Sequence, residues 1–83
     1  MLKYFKEEEA SLRASFSFSD FVGAFSFMTA VALLAERLKH HPNWTNVYNK
    51  VDIVLTTHDA NNTITALDYK LAAEIEKIAA NYL

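Results

Sequence analysis

Fifteen consecutive uncharged residues, Phe21 to Ala35, constrain this chain's fold more than any other feature. Ser19 offers a hydroxyl to cap a helix beginning at Asp20, and Pro42 disfavours helical angles in His41 before it. The spacing therefore predicts a helix from Asp20 to about Lys39. Such a helix carries two apolar stripes on largely different faces: Phe21, Phe25, Met28, Ala32 and Ala35 make one, Phe27, Val31, Leu34 and Leu38 the other. One stripe can cover a sheet, and the other then needs a partner. The second, with Leu34 in it, is the expected contact between subunits. The uncharged run contains Ser26 and Thr29 and falls short of the roughly 20 apolar residues a bilayer requires, which predicts a buried helix and no membrane span.

On either side of it the pattern changes. Leu12, Ala14, Phe16 and Phe18 alternate with Arg13, Ser15 and Ser17, the period of a half-buried strand. Residues 3 to 9 are charged and irregular, giving a first strand little support, and Glu7-Glu8-Glu9 reads as a solvated turn. Residues 47 to 57 read as one long strand, with Val47, Val51, Ile53 and Leu55 on one face and Tyr48, Lys50, Asp52, Thr56 and His58 on the other. Asp59-Ala60-Asn61-Asn62 is turn chemistry, and Thr63 to Thr65 can return as a short strand. Thr65-Ala66-Leu67-Asp68 resembles a capping box ahead of a last helix, whose inner stripe is Leu71, Ala72, Ile75, Ile78, Ala79 and Tyr82. The order β-β-α-β-β-α predicts an α+β domain of two layers over residues 1–83, with an antiparallel sheet of about four strands covered on one face by two helices.

An isolated domain of 83 residues buries only about 60% of its unfolded surface, and with no cysteine it has no disulfide to help. Hydrophobic residues make up 52% of the chain, above the usual proportion of roughly 45 to 50%, and the excess suits a subunit interface. Net charge is -2 and the eight basic residues are scattered, so direct nucleic-acid binding is not expected. Met1 to Lys6 has no basic and apolar leader pattern, which predicts a cytoplasmic protein.

The candidate chemistry is histidine chemistry. His40 and His41 fall where the long helix should stop and His58 where the long strand should stop. Imidazole titrates near neutrality, so a pair of histidines can accept one proton and donate another in one reaction. The plainer alternative is that His40 and His41 frame a helix C-terminus, where imidazolium favours the dipole, and that His58 decorates a turn. A zinc site with Glu36, Asp59 or Asp68 is a third reading, disfavoured because adjacent histidines seldom present both rings to one ion. Glu36 stands four residues before His40, the spacing of a helical pair, or else pairs with Lys39 or Arg37 in solvent. Trp44 can wall a pocket for a heterocycle or pack under a loop, and Asp68 can be a pocket carboxylate or only a cap. No nucleophile elbow, phosphate loop or dinucleotide fingerprint is present.

Taken together, Ala35-Glu36-Arg37-Leu38-Lys39-His40-His41-Pro42-Asn43-Trp44, then Asn46 to Val51, then Thr57-His58-Asp59 and Asp68, resemble the pterin-4a-carbinolamine dehydratases. Phe16 to Met28 and Thr65 to Leu71 extend the resemblance over almost the whole chain. It implies dehydration of 4a-hydroxytetrahydropterin to quinonoid dihydropterin, in the recycling of a pterin that serves aromatic amino-acid hydroxylation, with no metal or bound cofactor. His41 would be the main acid-base residue, with His40 and His58 placing the hydroxyl and sharing the proton. Glu36 would tune His40, while Lys39, Pro42, Trp44, Thr56, Thr57, Asp59 and Asp68 would bind substrate. The turn from Asp59 to Ile64 lacks the glycine of many relatives, and Tyr4 stands where tryptophan is frequent. The resemblance also implies a homodimer or homotetramer. A binding module of the same fold without catalysis, and a role in molybdopterin metabolism, are the alternatives.

Overall fold

The computed structural model describes all 83 residues. Its elements are β1 (Lys6–Glu8), β2 (Ser11–Ser17), α1 (Phe21–Leu38), β3 (Asn43–Val47), β4 (Lys50–Leu55) and α2 (Ala66–Ala79). The order is the expected β-β-α-β-β-α, and the four strands form one antiparallel sheet in the order β1-β2-β4-β3. Alternation places Leu12, Ala14 and Phe16 of β2 and Val51, Ile53 and Leu55 of β4 on the inner face. There they meet Ala24, Phe27, Val31 and Leu34 of α1 and Leu71, Ala72, Ile75 and Ala79 of α2 in one hydrophobic core. Ser15, Ser17, Lys50 and Asp52 occupy the open face.

The strands differ in detail from the sequence expectation. Residues 47 to 57 are not one strand but part of a hairpin, in which Val47 pairs with Lys50 across the turn Tyr48-Asn49. Tyr48 takes a positive φ of 51° there, a turn angle its side chain does not advertise. Asn46 braces the turn by donating to the carbonyls of Tyr48 and Lys50, and Asn49 donates its amide to the carbonyl of Phe18. Val47 is consequently exposed on the open side, whereas Trp44, opposite Ile53, packs against the core. Thr63 to Thr65 is no strand; a single bridge joins Thr57 to Thr63. Glu7 and Glu8 belong to β1, and only Glu9 and Ala10, at φ 52° and 59°, make the turn to β2.

The helices form at the expected places. Asp20, not Ser19, caps α1, its carboxylate accepting from the N–H of Gly23 at 2.8 Å. The two apolar stripes exchange roles. Phe27, Val31 and Leu34 are buried against the sheet with Ala24 and Ala35, so Leu34 is a core residue and cannot be a subunit contact. Phe21 and Phe25 of the other stripe are exposed, with Val22 and Leu33 beside them. By length and hydropathy alone α1 would pass as a membrane span; its packing on the sheet makes it the core helix. In α2 the stripe is as expected through Ala79, and Tyr82 lies beyond the helix, partly exposed.

Candidate functional site

The site begins with the way α1 ends. Lys39 adopts left-handed angles, φ 53° and ψ 39°, while its N–H bonds the carbonyl of Glu36 and the N–H of His40 bonds that of Ala35. This is a Schellman closure, made without the glycine that usually occupies it. The chain therefore leaves the helix before His40, and His40 no longer lies one helical turn above Glu36. Its Nε2 instead meets Oδ1 of Asp68 at 2.6 Å. The expected pairing of Glu36 with His40 is thus replaced, and Glu36 Oε1 takes Nε2 of His41 at 2.9 Å.

Asp68 is wholly buried and serves two structures at once. As the third residue of α2 it closes the capping box, its Oδ2 accepting the N–H of Thr65 at 2.9 Å. The same oxygen accepts the hydroxyl of Thr57 at 2.7 Å, and the Thr57 and Thr65 hydroxyls lie 2.6 Å apart. Burial alone would raise the Asp68 carboxyl. The hydrogen bonds from His40, Thr57 and Thr65, with the charge of His40, outweigh it and hold the group below its ordinary 3.8. Asp68 is accordingly an anchored carboxylate as well as a cap. Thr65 was not expected among the site residues; its signal lay in the capping box, which necessarily places its hydroxyl beside Asp68.

The remaining candidates surround this core unequally. The His41 and Glu36 side chains are largely in solvent. His58 opens a single 3-10 turn, His58–Ala60, directly after Thr57; its ring is exposed, 3.6 Å from the Asp59 carboxylate. Pro42, Thr56 and Thr57 are half-buried, and Lys39 and Asp59 are exposed. The turn that follows places Asn61 and Asn62 at positive φ, in the role glycine would otherwise fill. No group of three or more histidine, aspartate or glutamate side chains converges as metal ligands would. A cavity of about 1000 Å³ lies elsewhere, between the amino-terminal segment and α2, and none of the histidines lines it. Glu76 is there, but its carboxylate is already engaged by the backbone N–H groups of Lys3, Tyr4 and Phe5. The pair His40–Asp68, the adjacent pair His41–Glu36, and His58 beside Thr57 all lie outside that cavity.

The family model described as Pterin 4 alpha carbinolamine dehydratase matches residues 3–78. The chain belongs to that family. Relatives bearing the pterin-4-alpha-carbinolamine dehydratase name, that of a hydro-lyase, include one from Sinorhizobium fredii, 57% identical over 74 residues that cover 89% of this chain and 70% of the relative. Another, from Prochlorococcus marinus, is 57% identical over 67 residues, covering 81% of this chain and 69% of that protein. Among solved structures, a transcriptional coactivator/pterin dehydratase from Brucella melitensis superposes with a TM-score of 0.88 at 44% identity, over 94% of this chain and 84% of that one. A pterin dehydratase-like protein identified as a RuBisCO assembly factor in the alpha-carboxysome gives 0.79 at 22% identity, over 93% and 90% of the two chains. That last likeness concerns the fold alone. The α+β architecture is thus the one seen in the pterin dehydratase neighbour.

Proposed function

We propose that this protein dehydrates 4a-hydroxytetrahydropterin to quinonoid dihydropterin by histidine acid-base catalysis. The observation that carries the reading is the fixed His40–Asp68 pair beside His41, with His58 next in sequence to Thr57, whose hydroxyl donates to Asp68. In the reaction N5 gives up its proton as the C4a–O bond breaks, and the departing hydroxyl takes a proton to leave as water. One group must accept and another donate at neutral pH, the task for which paired imidazoles are suited. His41, exposed beside Glu36, is the main proton carrier; His40 and His58 place the hydroxyl and share the proton. Lys39, Pro42, Thr56 and Asp59 border the pterin. Trp44 contributes through its core-packed ring, holding β3 against Ile53. The pterin is returned for reuse by an aromatic amino-acid hydroxylase, and the reaction takes place in the cytoplasm.

The apolar residues exposed along α1, Phe21, Val22, Phe25 and Leu33, support self-association as a homodimer or homotetramer. They also give the second reading its one argument, that of a module which binds through α1 without catalysis. The deciding experiment follows enzymatically generated 4a-hydroxytetrahydropterin by ultraviolet absorbance. Acceleration over the spontaneous reaction, lost in His41→Ala by about 10² to 10⁴-fold, is the expected result. A wild-type protein that gives no acceleration leaves the binding module in its place.

A further inference from the structure

The hydrogen bonds behind His40 have only one consistent direction. The single hydroxyl proton of Thr57 goes to Asp68 Oδ2, so the contact between the two threonines must be a donation from Thr65 to Thr57. Thr65 Oγ1 in turn accepts the N–H of Leu67 at 3.3 Å. Asp68 Oδ2 also accepts the N–H of Thr65, and an ionised carboxylate has nothing to donate from Oδ1. His40 Nε2 must therefore carry the proton in their 2.6 Å bond. The other ring nitrogen, Nδ1, has no partner in the protein, yet no buried side-chain nitrogen or oxygen lacks one, so Nδ1 reaches the surface of a side chain only 11% exposed.

We propose that Thr57, backed by Thr65, is a positioning residue: by donating to Oδ2 it holds the Asp68 carboxylate with Oδ1 toward His40 Nε2–H, so that His40 presents a bare Nδ1, a proton acceptor, to the bound pterin. The proposal rests on the dehydratase reading for its kinetic part, but its structural part concerns the tautomer alone. Removing the Thr57 hydroxyl leaves Oδ2 with the Thr65 N–H as its one donor and takes from the Thr65 hydroxyl its acceptor. The carboxylate is then no longer held toward His40 in one orientation, and Nδ1–H forms of the ring become populated. The loss of one hydrogen bond to a charged group corresponds to about a tenfold change in an equilibrium or rate.

The test is nitrogen-15 NMR of the imidazoles in wild type, Thr57→Val and Thr57→Ser, with His40 assigned by its own substitution, alongside kcat and KM. Spectra taken at a pH where the ring is neutral should show wild-type His40 protonated at Nε2. Thr57→Val should show a tautomer mixture and a kcat lowered about tenfold with KM within about twofold, and Thr57→Ser should restore both. A wild-type His40 protonated at Nδ1 overturns the proposal even if the valine variant does not fold. So does a folded Thr57→Val that keeps the wild-type tautomer. If the wild-type tautomer and its response to Thr57→Val are as expected while wild type has no dehydratase activity, the positioning stands and the substrate reading falls.

Discussion

Glu36 holds the imidazole of His41, five residues on, at 2.9 Å, and leaves His40, four residues on, to Asp68. A continuous helix would have produced the opposite pairing, because residues four apart share a helical face. The left-handed angle at Lys39 intervenes. Two adjacent histidines are thereby given two carboxylates in unlike settings, one buried and held by other hydrogen bonds, the other in solvent. Such a division suits a reaction in which one ring must be held and a second must carry a proton.

The unlike settings predict unlike costs. Asp68→Asn keeps the shape but puts an amide where three donors converge on a buried carboxylate, so that a donor loses its acceptor or the His40 ring must change tautomer, and the charge that strengthened all three bonds is lost. Stability should fall by about 2 to 3 kcal/mol in urea unfolding. Glu36→Gln touches only an exposed contact and should leave the unfolding midpoint unchanged within error while lowering dehydratase activity. A Glu36→Gln protein with full activity would remove Glu36 from the site.

Positive φ angles at residues other than glycine supply a second prediction. Ala10 stands at φ 59° in the turn between β1 and β2, and Lys39 at φ 53° at the end of α1. Left-handed angles cost an L-residue about 1 to 2 kcal/mol, and glycine avoids that penalty while adding unfolded-state entropy. Ala10→Gly and Lys39→Gly should each stabilise the protein by about 0.5 to 1 kcal/mol, measured as a higher urea midpoint at unchanged slope.

The same residues explain what was legible in the sequence. Period-two alternation from Leu12 to Phe18, the stripe from Leu71 to Ala79 and the Thr65–Asp68 capping box are local patterns, and each appears in the structure where it was expected. The hairpin between β3 and β4 was hidden because its turn is Tyr48-Asn49, with tyrosine taking the positive φ that Gly or Asn would have announced. The single glycine sits inside α1 instead. Which stripe of α1 meets the sheet was not readable, since both are apolar and only tertiary packing distinguishes them. The histidines were visible as residues, but the partner of His40 was not: it depends on Lys39 leaving the helix and on a threonine and an aspartate from two other segments.

Exchange of the two stripes moves the test of assembly. Leu34 is 3% exposed and faces the sheet, so Leu34→Glu buries a charge and should unfold the monomer, with a loss of about 4 kcal/mol or more. Phe25 is 52% exposed on the outward stripe, and Phe25→Glu should leave the circular dichroism and urea midpoint of the subunit intact while lowering its sedimentation coefficient. A Phe25→Glu protein that sediments as wild type would take α1 out of the proposed interface.

Glu76 ties the amino-terminal segment to α2 by accepting the successive N–H groups of Lys3, Tyr4 and Phe5. Burial would raise its carboxyl, but these three bonds, with the charge of the amino terminus, outweigh burial and hold it below the ordinary 4.5. The charged groups around the contact are the amino terminus, Lys3, Glu7 and Lys77. A depressed folded-state value means that the contribution is complete above the unfolded value and is lost as pH falls through the folded one. Glu76→Gln should therefore be less stable than wild type by about 1 to 2 kcal/mol at pH 7, and the difference should shrink as pH is lowered below 4.5. Asp68 loses its contribution in the same direction in both proteins and cancels from the difference. Urea unfolding of the pair from pH 7 to pH 3 checks this; a difference that stays constant across that range would show that the Glu76 charge does not hold the segment. Because Phe5 is a core residue beside Phe16, loosening this contact should also expose core, seen as faster hydrogen exchange at β2 in Glu76→Gln.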